Sequence, residues 1–194
     1  MAKDAEQVQV EHRDEWRRWL MDNHERSDGI WLVTFKKQCG DRYVSYDAVV
    51  EEALCFGWID SLPRKLDAER TMLWMAPRKP KSGWSKVNKE RIAAMVAAGR
   101  MTPTGLAKIE AAKQDGSWTA LDAIEALEIP SDLQTALDAN PVAKRYFEAF
   151  PRSAKRGILE WIISAKRPET RAKRVAETTR LAAENKRANQ WRQK

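Results

Sequence analysis

This sequence is poor in the residues that most often carry chemistry. It holds two histidines and two cysteines. His12 and His24 fall too far apart on one expected helix to share a turn, so neither a metal pair nor a catalytic triad is suggested. Cys39 and Cys55 make no disulfide framework and no metal spacing. The eight glycines are scattered and mostly sit where a helix should end. No phosphate-cradling loop is present, and HExxH, CxxC and GxSxG are missing. No stretch approaches the roughly 18 consecutive apolar residues of a spanning helix. The N-terminus lacks the apolar core of a secretory signal. The expectation is a cytoplasmic protein with reduced thiols, no membrane span, no metal and no cofactor.

What is abundant is tryptophan, with nine residues, each large enough to anchor a core or wall a pocket. Hydrophobic residues at 43% against 32% charged fit a globular chain of one domain, or one domain with a helical appendage. The net charge of +7 is unevenly spread. Residues 64–91 carry nine basic and three acidic groups, residues 114–140 none and six, and residues 141–194 fifteen and five. The chain is therefore striped, with a basic centre and a basic tail.

Periodicity divides the chain. Trp16, Trp19 and Leu20 mark a helix over 11–26. "GIWLVTFKK", between Asp28-Gly29 and Gly40-Asp41, is strand-like, and so are "WIDSL" and "RTMLWMAP", with a hairpin turn at "PRKLDAE". Three strands, at 29–37, 58–63 and 70–77, should form a small mixed sheet. Between them "SYDAVVEEALCF" reads as a helix capped by Ser45, with Val49, Val50, Ala53 and Leu54 on one apolar face and Gly57 at its end. From Ser85 onward the pattern is helical. Thr102-Pro103, Asn140-Pro141 and Pro168 open helices, and Ser85, Ser131 and Ser153 are expected caps. The fold class expected is α+β. Residues 1–84 form a unit with a short sheet and hairpin, and residues 85–194 a helical region with a basic last helix.

One constellation can carry chemistry. Trp58 and Asp60 follow the Gly57 turn, Arg78 leaves the second hairpin strand, and Trp84, Asn88 and Arg91 open the next helix. Brought together, they would make an aromatic-walled pocket with a carboxylate, guanidinium groups, an amide and a helix N-terminus. Such a pocket suits a small polar or anionic ligand. The plainer alternative makes Trp58 and Trp84 core anchors and Asp60–Arg78 a structural ion pair. Cys55 reads as a small buried hydrophobe before it reads as a nucleophile, because the negative end of a helix disfavours a thiolate. The tail "AKRPETRAKRVAETTRLAAENKRANQWRQK" offers weak, non-specific affinity for nucleic acid through charge alone. It fits an amphipathic helix with a solvated basic face as well.

The stretches "GIWLVTFKK", "SYDAVVEEALCFGWIDS", "APRKPKSGWSKVNKERI", "GRMTPTGLAKIEAAKQDGSW" and "ILEWIISAKRPETRAKR" together resemble the bacterial YdeI/OmpD-associated, or bacteriocin-protection, family over about residues 28–180. "EALCFGWIDS" and "PRKPKSGWSKVN" are the most specific; Ala76 departs from the threonine expected there. The resemblance implies tolerance of bacteriocins or cationic antimicrobial peptides and association with an outer-membrane porin. It brings no catalytic residue set. The expectation is a non-catalytic binding or stress-tolerance protein. The alternatives are an enzyme for a small polar substrate, with Asp60 as acid/base and Arg78 and Asn88 positioning the substrate, and a non-specific nucleic-acid binder.

Overall fold

The computed structural model describes residues 5–189; the last residues of the basic tail, 190–194, lie outside them. The fold is α+β, with a mixed sheet followed by helices. The chain divides into two compact units, residues 1–120 and 121–194. The last strand ends at Pro77 and the next helix starts at Lys86, within the first unit. Among the described residues no strand follows Pro77, and no helix is long and apolar enough to cross a membrane.

The sheet has four strands rather than three: β1 (Gln7–Gln9), β2 (Ile30–Phe35), β3 (Trp58–Lys65) and β4 (Arg70–Pro77), in the order β1-β2-β4-β3. β1 runs parallel to β2, and the other pairings are antiparallel. β3 continues through Pro63, where the sequence suggests a turn. The proline is tolerated because β3 is an edge strand and its register slips between Asp60 and Pro63.

Helices α1 (Arg13–Asn23) and α2 (Tyr46–Cys55) pack with the sheet. Ile30, Leu32, Met75 and Trp58 meet Trp16 and Leu20 of α1 and Val49 and Ala53 of α2 in one core. The apolar residues of α2 do not form a single face, as its sequence suggests. Val50 and Leu54 belong to a second core, with Trp84 and residues of α3 (Lys86–Ala97) and α4 (Pro103–Gln114). A helix buried on two sides explains the adjacent pairs Val49-Val50 and Ala53-Leu54.

Two glycines make the end of α2 possible. Gly57 takes φ +76° to leave the helix, and its carbonyl accepts the Arg78 N–H at 2.9 Å. Gly105 lets α4 approach so closely that a Cβ there would lie 2.7 Å from the Cys55 carbonyl carbon. The Cys55 oxygen in return accepts the Thr102 hydroxyl at 2.6 Å, so the open carbonyl end of α2 is closed by the N-terminus of α4.

The second unit holds α5 (Asp122–Glu125), α6 (Ser131–Asp138), α7 (Pro141–Ala149), α8 (Arg152–Ile163) and α9 (Pro168–Ala183). They share a core that includes Ile124, Leu133, Phe147, Ile158, Ile162 and Val175. Caps at Ser45, Ser85, Thr102 and Asn140 accept N–H groups as expected. Ser131 does not cap, and Ser153 lies inside α8. Pro130 and Pro151 occupy those N-cap positions in extended conformation, which their fixed φ favours. Much of the charge on α9 is used locally. Arg171 pairs with Asp132 at 2.6 Å, and Arg174 donates to the Trp161 carbonyl and lies 5.0 Å from its ring.

Candidate functional site

The six residues singled out in the sequence separate into three places. Trp58 is in the first core. It is fully buried, its indole N–H donates to the His24 carbonyl at 3.0 Å, and its ring meets Trp19 edge-on at 5.7 Å. Arg78 and Trp84 form a second place, with the guanidinium 3.6 Å from the centre of the indole ring. Arg78 makes no ion pair with Asp60; its Nη2 donates to the carbonyls of Ser82 and Gly83. Burial alone pushes this guanidinium down to about 10. Trp84 is a core anchor, 2% exposed, as the plainer reading had it.

Asp60, Asn88 and Arg91 do come together, around a residue the sequence reading passed over. Tyr46 opens α2 directly after the Ser45 cap, and its hydroxyl donates to Asp60 at 2.8 Å. Arg91 reaches from α3 with its guanidinium 5.6 Å from the Tyr46 ring centre, pairs with Asp47, and donates to the Asn88 side-chain oxygen at 2.9 Å. Burial, and then the hydrogen bond to the Asp60 carboxylate, push the Tyr46 phenol up to about 12. It therefore stays neutral, and its oxygen still has acceptor capacity.

Tyr46 also stands at the edge of a cavity of about 440 Å³. The cavity exists because α2 begins only at Tyr46, after a kinked 3-10 segment over Lys37–Arg42, and leaves the nearby end of the sheet uncovered. Leu32 and Leu73 come from β2 and β4, Val44 and Val49 from before and within α2, and Pro63 from beyond the slip in β3. Thr34 and Thr71 add hydroxyls, and Tyr43 and Tyr46 are the partly exposed aromatic groups. The Thr71 hydroxyl is engaged with the Arg64 carbonyl at 2.8 Å, and the Lys36 ammonium with the carbonyls of Asp67 and Ala68. The volume is that of a small-molecule site, apolar within and hydroxyl-bearing around it. No motif announces these residues. The one usable signal is an aromatic residue at the first position of a helix that follows a strand and a long connection.

The thiols behave as a pair of opposites. Cys55 is fully buried, and burial raises its thiol above the ordinary value, while Cys39 is half-exposed. A thiol reagent on the native protein should modify Cys39 first and reach Cys55 only on unfolding, with the site of label read by mass spectrometry. Fast labelling of Cys55 would mean that the α2–α4 junction opens readily.

Residues 8–108 match the family model described as Domain of unknown function (DUF8412). Residues 126–185 match the model described as Bacteriocin-protection, YdeI or OmpD-Associated. No curated protein and no solved structure matches the chain. The motifs "EALCFGWIDS" and "PRKPKSGWSKVN", and with them every candidate site residue, fall in the first region; the bacteriocin-protection match falls on the helices of the second unit. With the first match covering more than half of the chain, the chain belongs to the DUF8412 family, and its residues 126–185 are similar to the bacteriocin-protection, YdeI or OmpD-associated model.

Proposed function

We propose that this is a non-catalytic cytoplasmic binding protein that serves tolerance of bacteriocins or antimicrobial peptides. Its first unit would hold a small molecule with an apolar body and a hydrogen-bonding or anionic end. The cavity beside Tyr46 is the observation that carries this reading. Its apolar floor takes the body of such a ligand, and the hydroxyls around it take the polar end. An acid–base role needs a group that exchanges a proton near neutral pH. Asp60, the group such a role would use, is engaged by the Tyr46 hydroxyl and does not line the cavity, and this favours binding over catalysis.

The test uses anilinonaphthalene sulfonate, whose aromatic body matches the apolar lining and whose sulfonate suits the exposed Lys37 at the cavity's edge. The folded protein should enhance its fluorescence saturably. Thr34→Phe places a ring in the cavity on a strand that tolerates aromatic residues, and should weaken the dye by about tenfold or more. Cells lacking the protein should become more sensitive to an added bacteriocin, and the Thr34→Phe gene should fail to restore tolerance. Wild-type dye affinity in a folded Thr34→Phe protein would refute the cavity as the site.

A further inference from the structure

Arg78 is an anomaly of charge. Elsewhere in this unit a buried charge has its counter-charge: the Glu52 carboxylate takes three arginines, although one of them, Arg100, also leaves its Nε without a partner. Arg78 is 6% exposed and has two backbone carbonyls and the Trp84 ring as partners, but no carboxylate. Its Nε is buried without a hydrogen-bond partner. Ser117, also 6% exposed, lines the same cavity of about 80 Å³, with its hydroxyl against the Asp115 carboxylate. Buried donors without partners are rare because each forfeits its hydration, and a buried cation without an anion is rarer.

The surroundings point to what is missing. Lys79, Lys81 and Lys108 also line the cavity, and Lys81 takes a left-handed φ of 60° in the loop that bends around it. The one carboxylate there is Asp115, which is engaged with the Ser117 N–H at 2.9 Å. Four cations therefore face one acidic group. The volume is several times the roughly 10–15 Å³ that admits a single water on the same measure. An open groove of about 760 Å³, walled in part by Trp74, shares Arg78, Lys79 and Lys108 with the small cavity. From this arrangement we infer that the cavity between Arg78 and Ser117 is a second binding site, separate from the cavity beside Tyr46, that takes a phosphate group, either free or as the end of a monoester whose organic part lies in the groove. The Arg78 guanidinium lies against the cavity and supplies one charge, and the three lysines supply the rest. The site does not depend on the proposed role of the first cavity.

The experiment is titration calorimetry with inorganic phosphate and with phenyl phosphate, using sodium chloride at matched ionic strength as reference. Arg78 is left in place because its packing on Trp84 holds the loop. Two variants are used instead: Lys81→Gln, which removes one of the cavity's cations at an exposed position, and the surface double variant Lys79→Gln with Lys108→Gln. Phosphate should bind saturably, beyond any chloride effect, and each variant should weaken it by about five- to tenfold. Tighter binding of phenyl phosphate than of inorganic phosphate assigns the site to a monoester; equal or weaker binding assigns it to the free ion. A phosphate response no larger than that of chloride, or wild-type affinity in both variants, overturns the inference.

Discussion

Glu52→Ala is expected to lower stability by about 3–5 kcal/mol. Glu52 is fully buried on α2 and accepts from Arg13 Nε at 2.5 Å, Arg17 Nη1 at 2.6 Å and Arg100 Nη2 at 2.6 Å. Two of these arginines belong to α1 and the third follows α3, so a single carboxylate clips three parts of the unit together. Arg17 adds a bond to the Arg100 carbonyl at 2.9 Å. Removing the carboxylate leaves half-buried Arg17 and Arg100 without their counter-charge, and Arg13 with only Glu51 at 3.0 Å. That is the costly way to break a buried pair, and it is worse than never having built one. Urea unfolding should show the loss as a lower midpoint at an unchanged slope.

The same group gives an acid signature. Burial pushes the Glu52 carboxyl up, but hydrogen bonds from Arg17 and Arg13 outweigh it and hold the group below its ordinary 4.5. A carboxyl depressed in the folded state stabilises fully above its unfolded value, and that stability drains away as pH falls through the folded value. The wild-type protein should therefore lose stability steeply below about pH 4.5. Glu52→Gln should be weaker at neutral pH and flatter through the acid range, because its amide has no proton to take up. A Gln variant with the wild-type acid slope would move the cause to another carboxylate.

Glu52 also marks where the sequence stops being legible. As text, Glu51-Glu52 reads as the polar side of an amphipathic helix; that one of the pair is buried depends on α1 and the segment before α4, which local periodicity does not contain. The same holds for β1. Gln7-Val8-Gln9-Val10 alternates as a strand does, but the run is too short to decide by itself, and its order comes from a parallel partner some twenty residues on. The features that were legible are those whose physics is local: the strands bounded by glycine and proline, the capping oxygens of Ser45 and Ser85, and the left-handed turn at Gly57. Pro63 was misleading for the complementary reason. It breaks a central strand but not an edge with a slipped register. The candidate site divides along the same line. Asp60, Asn88 and Arg91 are separated by only a hairpin and a helix start, so their proximity is legible in the sequence. Tyr46, which joins them to a cavity, matters only because α2 happens to start there.

Trp58 tests the division of the "EALCFGWIDS" motif into core and site, and Trp58→Ala should cost about 3–5 kcal/mol. The indole is the first side chain of β3, immediately after the Gly57 turn, and it is completely buried. It anchors the end of α1 to the sheet through its bond to the His24 carbonyl and its edge-on contact with Trp19. Truncation removes the bond and the contact, and leaves a void that neighbours from two helices and a strand cannot all collapse into. Trp58→Phe keeps most of the apolar bulk and loses the hydrogen bond, so it should cost less, on the order of 1–3 kcal/mol. The decisive comparison uses this milder variant, which should remain folded. Trp58 does not line the cavity beside Tyr46, so the folded Phe protein should bind anilinonaphthalene sulfonate as the wild type does. A folded Trp58→Phe protein that has lost dye binding would show that the indole reaches the ligand, and would return it from the core to the site.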